Sequence, residues 1–349
     1  MNKKIVLGLP SVVMMFLLGD TLNNAGVFKI IEPHFTGQCD QIVGMVGSED
    51  ITFIPNENAV LVSSYDRHIE AVDDSQSIAG SIFYYNLDTQ KFSKISPDIK
   101  DFRPHGFSLY KMANGETRLF VINHAGKQQT VDIFSLEQNK LTLLRSIQSE
   151  KLNSPNDIVA VGPEQFYATN DHHYSSGIMH VLENYLALPI SNVMYFDGED
   201  YKQVASGMPF ANGINISVSG KQLYLASLSS LKIHVYQRDL TNNELSLLKK
   251  INTQTGVDNI ELDENGDLWI GAHPQLLKLA SYAKNSQARS PSQVLKVKVS
   301  DGSFDVESVY LSNGDPIAGS SVAAVKGNRM LIGSVFDNKI LDCTFDGSG

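Results

Sequence analysis

The chain is poor in the residues and motifs that mark several large classes of protein. Its 349 residues include one Trp and two Cys, and charged side chains make up only 19%. The net charge is −10 and no run of basic residues is longer than two, which argues against a nucleic acid partner. The sequence contains no G-x-S-x-G, P-loop or H-E-x-x-H motif. Three common types of catalytic or nucleotide-binding site are therefore not indicated.

What the chain does contain is enough apolar residues for a sizeable core. Hydrophobic residues make up 42% of the sequence, which argues against disorder or a fibrous repeat. The length allows two domains, although single all-β domains reach a similar size. The negative net charge could attract cations.

Residues 1–24 predict a targeting segment. Lys3 and Lys4 precede a mostly apolar stretch over residues 5–18. A helix of that length is too short for a hydrocarbon core of ~30 Å, so a secretory signal fits better than a membrane span. No clean cleavage site follows, so an uncleaved signal acting as an anchor and contacting a membrane stays open. We expect an exported protein, either periplasmic, secreted or anchored to a membrane.

The two cysteines, Cys39 and Cys343, lie near opposite ends of the expected mature chain. Export to an oxidising compartment favours their pairing over two unrelated thiols. Such a disulfide would close a loop of about 300 residues and contribute on the order of 5 kcal/mol at most.

Apolar and polar residues alternate along most of the chain, which predicts strands. Six segments repeat one pattern: a strand, then a turn with Gly or Asn, then a second strand that ends in small residues. They are residues 51–64, 107–123, 158–170, 214–227, 260–272 and 322–334. Further strands fill the intervals. We therefore predict an all-β, six-bladed β-propeller over residues 25–349, closed by the disulfide between its first and last blades. Two separate β-sandwiches would not explain six copies.

One apolar segment, residues 181–196, breaks this pattern. It predicts a helix as far as Pro189. The helix could cover one face of the ring and touch lipid, or it could be an ordinary packed connector.

Polar residues recur just before the first strand of each repeat. They are Glu49-Asp50, His105-Gly106, Asn156-Asp157, Asn212-Gly213, Asp258-Asn259 and Ser320-Ser321. A single Asn or Asp there would be an ordinary turn residue. If the blades are equivalent, however, the whole set converges at one end of the central channel. Carboxylate and amide oxygens suit Ca²⁺, whereas Zn²⁺ would require more His or Cys.

Two histidines belong to the same repeat. His105 occupies the recurring position and His124 follows the second strand. Next to a metal ion, such a pair could transfer protons.

At these residues the chain resembles the paraoxonase/arylesterase family of calcium-dependent lactonases. The resemblance runs from about Cys39 to Cys343, and both cysteines match the family's ring-closing disulfide. It rests on the stretches GSED (47–50), PHG (104–106), VINH (121–124), NDIVAVGPEQFYATNDH (156–172), FANGINIS (210–217), VDNI (257–260), GDLWIGAHP (266–274) and IGSVF (332–336).

The resemblance implies two calcium ions and a set of site residues. The catalytic ion would be held by Glu49, Asn156, Asn212, Asp258 and Asn259. The structural ion, deeper in the channel, would be held by Asp50, Asp157 and the backbone carbonyl of Phe107. His105 and His124 match the family's proposed catalytic dyad. The positions that line its substrate pocket are matched by Phe210, His172 and Val335.

Two departures limit what can be transferred. Ala272 stands where mammalian members have a free cysteine, and Leu279-Ala280 lacks the aromatic side chains that those members place at the pocket. We therefore expect a wider pocket, and substrate preference does not transfer.

The expected function is calcium-dependent hydrolysis of lactones, such as lipophilic or acyl-homoserine lactones, with arylesterase and possible paraoxonase side activity. His105 would accept a proton from the attacking water and His124 would orient that water, although Asp258 or Glu49 could serve as the base instead. Two rivals stay open: a gluconolactonase-type sugar lactonase, and a non-catalytic propeller that binds a partner and uses calcium only for stability.

Overall fold

A computed structural model describes residues 19, 21–68, 79–125, 129–300 and 302–346. Nearly all of the predicted targeting segment, residues 1–18 and 20, lies outside the described residues. Within the described ranges, no helix combines the length and the hydropathy that crossing a membrane requires.

Strands dominate the described chain and form six four-stranded antiparallel sheets. The first strands are β2 (Ser48–Phe53), β6 (Pro104–Lys111), β10 (Pro155–Ala160), β14 (Ala211–Ile216), β18 (Gly256–Leu262) and β22 (Ser320–Lys326). The second strands are β3 (Ala59–Ser64), β7 (Thr117–Asn123), β11 (Phe166–Asn170), β15 (Gln222–Ser227), β19 (Leu268–His273) and β23 (Arg329–Ser334). The third strands are β4 (Ser81–Asn86), β8 (Thr130–Glu137), β12 (Ser191–Phe196), β16 (Lys232–Arg238), β20 (Ser292–Ser300) and β24 (Lys339–Phe345). The outermost strands are β5 (Lys91–Lys94), β9 (Lys140–Gln148), β13 (Tyr201–Met208), β17 (Leu245–Asn252), β21 (Ser303–Ser312) and β1 (Gly37–Val43).

The six sheets are the blades of a propeller, as the repeats predict. Each first strand contacts the first strands of the two neighbouring blades, so these six strands surround the central channel. Apolar side chains fill the space between blades. Phe120 of the second blade, for example, packs against Phe166 of the third with 5.9 Å between ring centroids.

The ring closes where the two ends of the chain meet. β1 adds to the C-terminal strand β24 as the outermost strand of the sixth blade, with Cys39 opposite Cys343. The predicted disulfide is confirmed. Nearby, the Tyr85 hydroxyl of the first blade donates to Asp342 Oδ2 at 2.6 Å, and Arg329 Nε donates to Asp342 Oδ1 at 2.6 Å. The disulfide therefore links the two ends of the chain within the sixth blade, so the prediction that it joins the first and last blades is wrong. The hydrogen bond from Tyr85 to Asp342 joins those two blades instead.

Every first strand has a β-bulge, and all six bulges occur at equivalent positions. In the first blade the register with β3 shifts between Ser48 and Asp50, and in the fifth blade the register with β19 shifts between Val257 and Ile260. The recurring polar residues lie at these bulges. The prediction that they precede the strands is therefore wrong, since the strands begin earlier and include them. A bulge adds an unpaired residue and re-aims its side chain, which here turns polar groups towards the channel.

Two helices, α1 (Gly177–Tyr185) and α2 (Leu276–Lys284), lie in the connections between strands. The helix expected over residues 181–189 exists but begins earlier and ends earlier, and the rest of that apolar run forms β12. The outward face of α1 is apolar, with Ile178 75% exposed and Leu186, just after the helix, 63% exposed.

Candidate metal centre

The bulges bring polar side chains of different blades into contact at one end of the channel. Asn259 of the fifth blade donates from Nδ2 to Glu49 Oε1 at 2.8 Å and to the Glu49 carbonyl oxygen at 3.0 Å. Ser321 of the sixth blade donates to the same carbonyl oxygen at 2.7 Å. Two other blades therefore fix Glu49, the fifth through its side chain and backbone and the sixth through its backbone, and the side chain is almost fully buried.

Four side-chain oxygens at this end of the channel are buried without a hydrogen-bond partner among the described residues. They are Glu49 Oε2, Asn156 Oδ1, Asn212 Oδ1 and Asn259 Oδ1. A buried oxygen without a partner is costly, so four from four different blades require an explanation. Hard cations such as Ca²⁺ bind carboxylate and amide oxygens of this kind. The donor set therefore fits a calcium ion.

Three asparagines are needed to complete the set of metal ligands at this site. In the described part of the chain, no group of three or more His, Cys, Asp or Glu side chains could hold a metal ion by itself. The oxygens that complete the set come from Asn156, Asn212 and Asn259. This composition favours calcium over zinc, whose protein sites are built mainly from His and Cys ligands.

Asp258, next to Asn259 at the same bulge, pairs with a histidine that was not among the residues expected from the sequence. His273 ends β19, and its Nε2 lies 2.7 Å from Asp258 Oδ2. Both side chains are buried. Burial raises the pKa of Asp258, and the hydrogen bond with His273 opposes this rise. Other second strands end in Ser or Asn, so a histidine at this position is the signal that could have revealed it.

A second carboxylate pair lies at the adjoining bulge positions. The backbone N–H of Phe107 donates to Asp50 Oδ2 at 2.9 Å, and that of Ile214 donates to Asp157 Oδ2 at 2.7 Å. Burial raises the pKa of both aspartates well above their usual values, and the Asp157 charge raises that of Asp50 further. A nearby cation would relieve the cost of ionising these two groups.

The channel contains a cavity of about 210 Å³ lined by Asp50, Phe107 and Asp157. A further carboxylate, that of Glu261, also lines it and accepts a hydrogen bond from Thr52 at 3.0 Å. Burial raises the pKa of Glu261 to about 8. Glu261 lies outside the recurring pattern of polar residues, so no sequence signal marked it.

The two histidines of the second blade lie together, next to Glu49. Their rings meet edge to face with centroids 4.8 Å apart, and His105 Nε2 lies 3.5 Å from Glu49 Oε1. Burial would raise the pKa of Glu49, but the interactions with His105, Arg67 and Asn259 together outweigh burial and lower that pKa. Burial, with the charges of His105 and Arg67, lowers the pKa of His124 to about 3. His124 is therefore neutral at physiological pH.

Of the three residues expected to line the pocket, two are in contact. The rings of His172 and Phe210 meet edge to face with centroids 4.8 Å apart. Val335 belongs to the sixth blade, where its N–H donates to the Gly319 carbonyl oxygen at 3.1 Å. A Cβ atom at Gly47 would lie 3.0 Å from the Val335 carbonyl oxygen, so Val335 lies beside the segment that leads to Glu49.

The chain resembles known proteins over most of its length. Residues 28–345 match the family model described as Arylesterase. Serum paraoxonase/arylesterase 1 of Homo sapiens is 36% identical over 325 residues, which cover 90% of this chain and 90% of that protein. Serum paraoxonase/arylesterase 2 of Homo sapiens is 36% identical over 354 residues, which cover 96% and 98% of the two chains.

Solved structures with little sequence identity share the fold. A gluconolactonase from Xanthomonas campestris superposes with a TM-score of 0.53 at 13% identity, covering 91% of this chain and 99% of its own. The calcium-binding protein regucalcin from Agrobacterium tumefaciens gives 0.52 at 12% identity, covering 90% and 96%. Such low identities establish the propeller alone, whereas the family match and the 36% identity establish kinship. The chain belongs to the arylesterase family of ester and lactone hydrolases.

Proposed function

We propose that the chain hydrolyses lactones in a calcium-dependent reaction, with aryl esters as a second substrate class. One observation carries the calcium dependence: four buried oxygens from four blades lack hydrogen-bond partners within the described chain, and one belongs to the glutamate beside His105. A site with a cation next to a histidine suits hydrolysis of an activated carbonyl.

Two groups of residues would hold two calcium ions. The catalytic ion would bind Glu49, Asn156, Asn212, Asp258 and Asn259. The structural ion would bind Asp50, Asp157 and the carbonyl oxygen of Phe107. The two groups contain four carboxylates, so two divalent ions balance their charge. When bound at the first group, calcium supplies a Lewis acid for the ester carbonyl.

The protein's own side chains would manage the proton. His105 Nε2 is proposed to accept a proton from the attacking water, and Glu49, 3.5 Å away, would stabilise the imidazolium that results. His124 has a low pKa and stays neutral, so it can orient the water without competing for the proton. Its Nε2 is buried and has no partner in the described ranges, which leaves it available for that contact.

The substrate class follows from the pocket. Phe210, His172 and Val335 are proposed to line it, and Leu279-Ala280 lacks the aromatic side chains that mammalian members place at the pocket. A wider, partly apolar pocket suits lipophilic lactones, including acyl-homoserine lactones.

A panel of lactones tests this function. We expect turnover to rise with acyl-chain length, to extend to phenyl acetate and to be low on gluconolactone. A preference for gluconolactone would favour the sugar-lactonase alternative. Two bound calcium ions without turnover on any lactone or aryl ester would identify a non-catalytic propeller.

We also propose that the protein is exported and contacts lipid through its N-terminal segment and the outward face of α1. Just after that segment, which comprises residues 1–24, Phe28 and Ile30 are 67% and 81% exposed, and Ile178 and Leu186 form a second apolar area. The full chain is expected to sediment with phosphatidylcholine vesicles, and the double substitution Ile178→Ser, Leu186→Ser to weaken this several-fold. Equal sedimentation of both proteins would contradict a role for α1.

A further inference from the structure

A series of hydrogen bonds connects helix α1 to the candidate metal centre. It begins at the carbonyl oxygen of Tyr174, which lies 2.7 Å from His180 Nδ1. His180 Nε2 in turn lies 3.1 Å from Asn184 Nδ2, one helical turn further along α1. The Asn184 Oδ1 atom lies 2.8 Å from Nε2 of His172, a residue that precedes the helix.

The hydrogen bonds of this series share one set of directions when the Asn184 amide is oriented as the structure places it. A carbonyl oxygen can only accept, so His180 Nδ1 donates to Tyr174. The Asn184 amide nitrogen donates to His180 Nε2, and the Asn184 oxygen accepts from His172 Nε2, which therefore bears a proton.

The other ring nitrogen of His172 also bears a proton. Nδ1 lies 2.7 Å from Asp171 Oδ1, and this carboxylate oxygen also accepts a hydrogen bond from the Ser154 hydroxyl. With two acceptors, His172 is held as an imidazolium. Its pKa agrees: burial would lower it, but the hydrogen bond and charge of Asp171 raise it to about 9.

The series ends on a proposed calcium ligand. The second oxygen of Asp171, Oδ2, accepts a hydrogen bond from Asn156 Nδ2 at 3.4 Å. Since the Asn156 nitrogen is directed at Asp171, its Oδ1 is directed elsewhere. That oxygen is one of the four buried atoms without a partner in the described chain.

We propose that Asn184 and His180 are positioning residues for the hydrolase reaction. Through His172 and Asp171 they fix the orientation of the Asn156 amide, so that its oxygen faces the cation. This inference rests on the proposed function, because the orientation of Asn156 matters to catalysis only if its oxygen binds calcium. Groups that orient metal ligands commonly change affinity or activity 10- to 100-fold when they are replaced.

The contact of α1 with the rest of the protein does not depend on Asn184. The neighbouring Glu183 is buried, and its carboxylate accepts hydrogen bonds from the backbone N–H groups of His173 and Tyr174 at 2.8 and 3.0 Å. Substitution of Asn184 should therefore interrupt the series without displacing the helix.

The test compares Asn184→Leu with Met179→Ala, a substitution at a 40% exposed position of the same helix. Calcium affinity would be measured by titration calorimetry on the chelated full chain, turnover on a water-soluble lactone, and the ring protons of His172 by ¹⁵N NMR. For Asn184→Leu we expect calcium binding at one site to weaken about tenfold, kcat to fall by a similar factor and the ¹⁵N shift of His172 Nε2 to change, because its hydrogen-bond acceptor is gone. Asn184→Asp, which keeps the acceptor, should retain more activity than the Leu variant.

Two results would overturn the inference. One is an Asn184→Leu variant that matches Met179→Ala in calcium affinity and kcat. The other is an unchanged ¹⁵N shift of His172 Nε2 in that variant, a readout independent of calcium and of activity. If Asn184→Leu does not fold, His180→Leu interrupts the same series. Failure of the unmodified protein to bind calcium or to hydrolyse lactones would instead count against the proposed function.

Discussion

Full-length protein treated with a calcium chelator is expected to lose its hydrolase activity and much of its thermal stability. The channel contains four carboxyl groups that are each at most 4% exposed: Glu49, Asp50, Asp157 and Asp258. Burial raises the pKa of the three aspartates, as expected for charged groups removed from water without enough compensating charge. Without the proposed cations this cost would be left uncompensated.

The expected loss of stability follows from mass action. An ion that binds only the folded chain, at a hundredfold excess over its Kd, contributes about 2.7 kcal/mol. Two such ions contribute about 5 kcal/mol, which corresponds to a decrease in Tm of about 10 °C for a chain of this size. Turnover should fall by at least about a hundredfold, because the carbonyl loses the group that polarises it.

Calorimetry and metal analysis before and after chelation would measure both effects. Metal analysis should give two calcium ions per chain. Added Ca²⁺ should restore Tm and turnover, whereas Mg²⁺, which demands a smaller octahedral site, should restore little. Protein that is free of calcium and keeps its turnover would refute the calcium-dependent mechanism, and one ion per chain would refute the two-site assignment.

The fold was predictable because its information is local and repeated. Each blade encodes the same strand-turn-strand pattern, and six copies leave a ring as the simplest closed arrangement. The cysteines at positions 39 and 343 marked the place where the ring closes by pairing of β1 with β24. Each of these signals can be read within one hairpin or from the two ends of the chain.

The boundaries of helices and strands were less predictable where one apolar run contributes to both a helix and a strand. Residues 181–196 include the end of α1 and all of β12. β12 is a strand because it pairs with β11, with Tyr195 opposite Tyr167. This pairing is not encoded within the run itself, so an apolar pattern alone could not separate helix from strand.

The site was predictable in part, for a related reason. The recurring Asp, Asn and Glu residues repeat from blade to blade, and their repetition marked them. The bulges that turn them towards the channel depend on register with a second strand and leave no local signature. His273 and Asp171 have no counterpart of the same residue type at the equivalent positions of the other blades, so no repetition marked them. Only the folded ring brings His273 to Asp258 and Asp171 to Asn156.

Replacement of His105 by Gln is expected to lower kcat/KM on lactones about a hundredfold or more, the usual contribution of a general base. Gln is similar in size to His and can form hydrogen bonds, but it cannot accept the proton. Calcium content and Tm should stay close to those of the unmodified protein, because His105 is not among the proposed ligands. The exposed His34, substituted as His34→Gln, provides the matched control.

The buried pair formed by Asp258 and His273 is the competing proton acceptor. Its 2.7 Å contact is closer than the 3.5 Å between His105 and Glu49, and it lies at the same end of the channel. If His105→Gln keeps full turnover while His273→Gln loses it with calcium still bound, the base is the Asp258–His273 pair. If both variants lose turnover, their pH profiles separate the roles: only loss of the base removes the acidic limb of kcat/KM, whereas loss of an orienting group lowers the whole profile.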